Sequence, residues 1–317
     1  MAIVTNTFLT YSAKGIREEL SNVIANISPE ETPFQSNVGS ESVSNAFFEW
    51  QTDSLAATAT TAVISGDDVA SFDSTAATTR LGNYTHIRRR TMIVEDRLEF
   101  VDKAGRDSEI AYQLAKRGKE LKRDIEAVLL DNNARVAGNS TTAPETAGLP
   151  AWLTSNTSVG TSGADATGDG TDARTDGTQR AFSEAMLKSV MQSAWTAGGN
   201  PSILMVGPYN KTVASGFAGI AETRVAGGDA PTTIIGAADV YVSDFGNITF
   251  VPNRFQRERD AFLLDPEYAS VCYLRPIQQI ELAKTGDAEK RMVLAEFGLK
   301  VANEAAHGII ADLTTSA

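Results

Sequence analysis

The apolar positions of this 317-residue chain change period from segment to segment, and those changes divide it. Residues 1–40 read as an arm: Ile16, Leu20, Val23, Ile24 and Ile27 recur at helical spacing, and Ser28-Pro29 closes the run. Thr32 must be extended ahead of Pro33. Residues 41–95 read as a long two-stranded excursion. Its outward limb holds Phe47-Phe48-Glu49-Trp50-Gln51, its return limb Thr79 to Val94, and its middle is Thr, Ala, Ser and Asp with few large apolar groups. Such chain cannot bury a core of its own and must lie on this subunit or a neighbour.

The helical signal is strongest over 106–135, where Ile110, Leu114, Leu121, Ile125, Val128 and Asn132 follow steps of three and four. The stretch predicts a spine of about 30 residues and about 45 Å. Residues 139–178 are a Gly/Thr/Ser/Asp-rich excursion with Trp152 as its candidate anchor. Residues 179–275 read as an α/β unit. Ser183 is a candidate helix cap, with Phe182 and Leu187 placed as a hydrophobic staple. Gly198-Gly199 stops that helix, Ile203–Val206 is a buried strand, and Gly207-Pro208 opens a second helix. A Gly/Ala-rich loop over 216–236 precedes strands at Val240–Val242 and Ile248–Val251. In 276–317, strands at Gln278–Leu282 and Lys290–Val301 flank a turn at Thr285-Gly286-Asp287. The alternation phase flips near Ala295-Glu296, which predicts a β-bulge there.

Composition narrows the chemistry. No apolar run reaches the roughly 18–20 residues of a membrane span. Met1–Thr10 lacks the basic and apolar regions of a signal peptide, so a non-secreted chain without membrane contact is expected. Net charge is −12, with no Lys/Arg-rich tail, so a chain near nucleic acid would enclose it rather than grip its phosphates. The single Cys272 sits in an apolar run and reads as a small buried hydrophobe. Two histidines, His86 and His307, stand in no motif, which argues against a zinc site or a histidine-based nucleophile pair. No catalytic residue, cofactor or metal is expected.

Three local patterns each have a plainer reading. Asp165 to Asp176 places oxygen ligands at positions 1, 3 and 5, glycine at 6 and a carboxylate at 12, as in a calcium loop. Asp172 at position 8 and the absence of flanking helices favour a solvated loop, with a calcium-dependent surface-binding protein as the rival reading. Asn210-Lys211-Thr212 lacks the glycines of a phosphate loop. Arg88-Arg89-Arg90 lies on an alternating strand, so Arg88 and Arg90 share a face opposite Arg89. Ion pairs with acids of a neighbouring subunit are expected there, and Phe47, Phe48 and Trp50 are expected as interface anchors.

The order of these parts resembles the Hong Kong 97-type phage capsid fold. Particular stretches are similar to the major capsid proteins of podovirus-type tailed phages related to phage SU-ten. They are Gly148–Leu153, Gly198–Pro208, Pro252–Arg259, Asp265–Tyr268, Leu282–Arg291 and Asn303–His307. The resemblance implies an α+β fold with an N-terminal arm (1–40), an extended loop (41–95) and a peripheral domain with spine helix and inserted loop (96–180). An axial domain (181–275) and the return strands of the peripheral domain (276–317) complete it. It further implies a virion shell protein, assembled in the host cytoplasm as hexamers and pentamers into an icosahedral shell that encloses double-stranded DNA without reading its sequence. Scaffolding, portal and decoration proteins would be its partners. An encapsulin-like nanocompartment shell is the alternative on the same fold.

Overall fold

The computed structural model describes residues 31–316 except 69–71, 76, 103–104, 106 and 218–239. The helical run at Gly15–Ile27 and nearly all of the 216–236 loop lie outside these residues. Thr32, at φ −123° and ψ 77°, avoids the helical region but stops short of the extended one expected ahead of a proline, and Pro33 then occupies the first turn of a short helix, α1 (Pro33–Asn37), where its missing N–H costs nothing. β1 (Gly39–Ser42) follows, then β2 (Phe47–Thr52) and β3 (Thr79–Tyr84), which pair antiparallel from Phe47–Tyr84 to Thr52–Thr79. The two-stranded excursion is thus a hairpin at its root, and residues 53–78 carry no strand among those described.

β4 (His86–Glu95) and α2 (Asp96–Phe100) lead into the spine helix α3 (Glu109–Leu130). At 22 residues the helix is about 33 Å long, shorter than its apolar periodicity predicts. Both ends have a polar cause. Ser108 caps the start by accepting from the Ala111 N–H at 3.2 Å. At the other end the Asn132 amide leaves the helix to exchange two bonds with the Arg174 backbone, an alternative that Asn side chains offer readily.

β5 (Thr157–Ser158), α4 (Glu184–Thr196), β6 (Ile203–Val206), α5 (Pro208–Ala214), β7 (Val240–Ser243), β8 (Gly246–Pro252) and β9 (Ala261–Leu264) come next. Ser183 is the α4 cap residue, but its hydroxyl makes no capping bond. The staple residues Phe182 and Leu187 are both buried. Gly198, at φ +94°, ends the helix as expected. Last come β10 (Ala269–Glu281), β11 (Ala288–Val301) and β12 (Gly308–Ile310).

Two main sheets result. One is four-stranded in the order β1-β10-β11-β4, with only β1 parallel to its neighbour. The other is six-stranded, β5-β12-β9-β6-β8-β7. The six-stranded sheet separates two apolar cores, and the period of two sorts its side chains between them. Ile203 and Met205 of β6, Phe262 and Leu264 of β9, and Ile309 of β12 join Leu121, Ile125 and Leu129 of α3. Leu204 and Val206, Ala261 and Leu263, and Ile310 instead meet Leu187, Val190 and Ala194 of α4.

The bulge predicted at Ala295-Glu296 lies on the partner strand. β11 keeps one register with β4 from Ala288 to Phe297. Its register with β10 shifts between Tyr273 and Arg275 and again between Arg275 and Gln278, so the extra residues belong to β10 around Pro276. The phase flip in β11 has another cause: Val293 to Leu299 is buried on both faces, and a strand covered twice need not alternate.

Candidate functional site: subunit contact surfaces

The hairpin β2–β3 is held at its root by aromatic rings. Phe48 and Trp50 are buried in the subunit's own core, and their rings stack with centroids 5.9 Å apart. Trp50 also meets Trp152 at 5.2 Å. Phe48 lies over Gly298 of β11, where an added Cβ would come within 2.6 Å of the ring. That glycine lets the hairpin approach the four-stranded sheet. Phe47 is half-buried, 4.6 Å from the Tyr84 ring and beneath the Arg135 guanidinium. Of the three candidate anchors, then, two face inward and one lies at the margin.

Beyond the root the chain is bare. Leu55 is 99% exposed, Ile64 82% and Phe72 90%. Groups of that size are seldom left in water together without a covering partner.

The arginine run splits as the alternation predicts. Arg88 and Arg90 both reach Asp124 of α3, at 3.2 and 2.6 Å. The Arg90–Asp124 contact is two-pronged, which holds the Arg90 guanidinium above its ordinary pKa. Arg89 is exposed on the opposite face and has no ion pair among the described residues. One face of the run therefore ties β4 to the spine, and the other is presented outward.

The 139–178 excursion is an ordered part of the subunit. Trp152 is buried as its anchor, together with Leu149 and Leu153. The candidate calcium loop closes around an arginine: the Arg174 guanidinium, 1% exposed, lies 3.7–3.8 Å from carboxylates of Asp165, Asp260 and Asp312. The remaining carboxylates of the loop are taken as well. Asp169 accepts from Thr167 and Thr171, Asp172 from Thr167, and Asp176 from Arg257 and Arg259. Asp312, itself at φ +60°, accepts from the Gly160 and Gly177 N–H groups and from Arg259. Those backbone donors and the two arginines bring its pKa down against the pull of burial. Asp260 has fewer donors, and burial pushes it up to about 6. Among the described residues no cluster of three or more His, Cys, Asp or Glu could hold a metal ion.

Two further buried nodes carried no sequence signal. Asn83 donates to Thr146 and to the Leu299 carbonyl and accepts from the Ala147 N–H, tying the hairpin to the excursion and to β11. Glu126 of α3 accepts from the Phe34 and Gln35 N–H groups of α1 and from Asn253. Burial lifts its pKa despite these donors. An isolated Asn or a Glu within a charged helix gives no hint in sequence that it will be enclosed. Cys272 is buried, and burial raises its thiol to about 11. His307 is fully buried with its Nδ1 accepting from the Asp265 N–H, and burial lowers its pKa. Among the described residues no helix is long and apolar enough to cross a membrane.

Known proteins share this arrangement. A relative, the major capsid protein of Escherichia phage Phieco32, is 28% identical over 344 aligned positions, covering 96% of each chain. A chain of the cyanophage A-1(L) capsid asymmetric unit superposes with a TM-score of 0.62 at 14% identity, covering 96% of this chain and 98% of that one. A chain from the capsid of a native GTA particle gives 0.62 at 11% identity, again covering 96% and 98%. These structural likenesses show the capsid fold of Hong Kong 97 type, α+β as expected. The SU10 major capsid protein family model matches residues 3–314, almost end to end, and the chain belongs to that family.

Proposed function

We propose that this major capsid protein assembles as hexamers and pentamers that close into an icosahedral shell around double-stranded DNA. Its role as a structural subunit of the phage virion follows from the family; the capsomer geometry is our reading. The observation that carries it is the exposure of large apolar groups among the described residues of 53–78. Leu55, Ile64 and Phe72 are almost wholly exposed in the single chain, and burying such side chains stabilises by about 1.5–3 kcal/mol each. A neighbouring copy is the partner that every subunit of a closed shell has.

In this reading residues 41–95 reach over a neighbour, 96–180 with 276–317 form the peripheral domain, and 181–275 surround the capsomer axis. Arg89 offers the outward charge for inter-subunit pairs, while Arg88 shares Asp124 with Arg90. Arg90 and the rings of Phe48 and Trp50 act from within, by fixing the strand and the hairpin root, with Phe47 at the margin. Scaffolding, portal and decoration proteins are the further partners, and the role is structural rather than enzymatic. An encapsulin-like compartment has no observation of its own in its favour.

Negative-stain electron microscopy of the purified protein, with size-exclusion chromatography across salt concentrations, tests this. Rings of five and six subunits or closed shells are expected, alone or with scaffolding protein added. A chain that stays monomeric under every condition, scaffold included, would sink the proposal.

A further inference from the structure

β4 closes one edge of the four-stranded sheet, and among the described residues no strand pairs with its outer side. A ladder engages the N–H and C=O of alternate residues. About half of the ten residues His86–Glu95 therefore turn theirs away from β11. Arg88 and Arg90 bind the spine on one face of the strand. Ile87 and Ile93 are exposed on the other, beside Arg89. A long edge of this kind invites a further strand unless something blocks it. Residues 55–64 have the composition of such a strand. They hold Thr58, Thr60, Thr61, Val63 and Ile64, all β-prone, and no proline, glycine or charge. Every one of the ten is exposed and none is paired in a sheet. The run ends where Asp67 donates its N–H to the Ile64 carbonyl at 3.0 Å, a turn that Gly66 at φ +89° makes possible.

We infer that residues 55–64 of one subunit add as a fifth strand to the free edge of β4 in a second copy. The inference rests on the capsid reading above and names where its reaching segment lands. Charge selects this occupant. A second β4 on the same edge would bring two runs of three arginines together, Arg88-Arg89-Arg90 on each strand, and like charges across a ladder destabilise it. The 53–78 segment has the opposite sign: it carries Asp53, Asp67, Asp68 and Asp73 and no basic residue. Asp53 stands just before the incoming run, and Asp67 and Asp68 just after it, all exposed. Complementary fields draw the two segments together and disfavour the wrong partner; main-chain bonds along the edge then supply the affinity. Apolar contact adds to them. Leu55, Val63 and Ile64, exposed in the single chain, bring apolar surface to the exposed Ile87 and Ile93.

The test is hydrogen exchange read by mass spectrometry on the full chain, as free subunits and as particles, with scaffolding protein supplied where assembly needs it. Peptides covering 86–95 and 55–64 should each gain protection at about five amides in particles, the alternate set that a new ladder engages. Two adjacent prolines then report the ladder itself. Neighbouring residues of a strand point their N–H groups to opposite sides, so only one of A59P and T60P removes a donor aimed at β4. That variant should lose the protection of 86–95 and fail to close shells, while the other matches the wild type. Both should keep the wild-type circular dichroism, since 55–64 belongs to neither core cluster. Particles in which 86–95 exchanges as fast as in the free subunit would overturn the inference and leave the capsid reading standing. Equal effects of the two prolines would do the same, by showing contact without a ladder. Failure of the wild type to form particles under any condition, scaffold included, would remove the capsid reading and this inference with it.

Discussion

Arg174 shows how far a single residue can depart from what its neighbourhood in sequence suggests. In the string Asp165–Asp176 it reads as one charge in a solvated loop, and the spacing of its acids draws attention to calcium. In the fold it is the cation, enclosed by Asp165, Asp260 and Asp312 from three separate parts of the chain. Removing one partner of a buried ionic group leaves the others uncompensated, at a cost of about 3–5 kcal/mol. Arg174→Met is therefore expected to lower unfolding stability by that amount, read from urea melts of tryptophan fluorescence. A loss below about 1 kcal/mol would show the cluster to be solvated after all. Asp260 adds a pH signature. Its folded pKa of about 6 lies above its ordinary 3.8, so between these values the folded state binds the extra proton. Its contribution is full at low pH and is lost as pH rises through about 6. Between pH 5 and 7 the wild type should lose stability relative to Asp260→Asn, in which this titration is absent. A gap that does not change with pH would show that Asp260 titrates normally. Asp312, with its pKa lowered, acts only below about pH 4, outside that window.

At the scale of elements, the pattern was legible wherever alternation, an apolar run or turn residues lay within one short window. The β2–β3 hairpin, the α4 helix with its staple, the buried strand β6 and the β10–β11 pair all stand close to where alternation and turn residues put them. The misses share a cause, which is long-range pairing that no local window contains. α3 stops at Leu130 because Asn132 bonds to Arg174, 42 residues away. β11 changes phase because it is covered on both faces, while the actual bulges sit opposite it near Pro276. The aromatic cluster Phe47-Phe48-Trp50 was visible as an anchor, but whether it anchors inward or outward depends on Gly298, some 250 residues further on. A glycine within an apolar strand announces a close approach without saying to what.

For the whole molecule, the order of parts was more legible than any contact. That order is a property of chain connectivity, which local patterns report directly, whereas the carboxylate junctions at Glu126 and Asp312 join segments far apart in sequence. The same reasoning separates what a subunit needs to fold from what it needs to assemble. The described residues of 53–78 contribute nothing to either core cluster, and the hairpin beneath them is closed by its own pairing from Phe47–Tyr84 to Thr52–Thr79. Replacing residues 55–76 with Gly-Ser should therefore leave the subunit folded, with its circular dichroism spectrum unchanged and its urea midpoint within the scatter of the wild type. Among the described apolar groups removed, Leu55, Val63, Ile64 and Phe72 are exposed and lose little burial within the chain. If they are covered by a neighbour, the same variant should fail to form closed shells in negative stain and remain at the size of single subunits or loose capsomers by chromatography. Normal shells from a normally folded variant would refute the placement of 41–95 over a neighbouring subunit. An unfolded variant would show instead that the segment stabilises its own chain, contrary to the separation of folding from assembly drawn here.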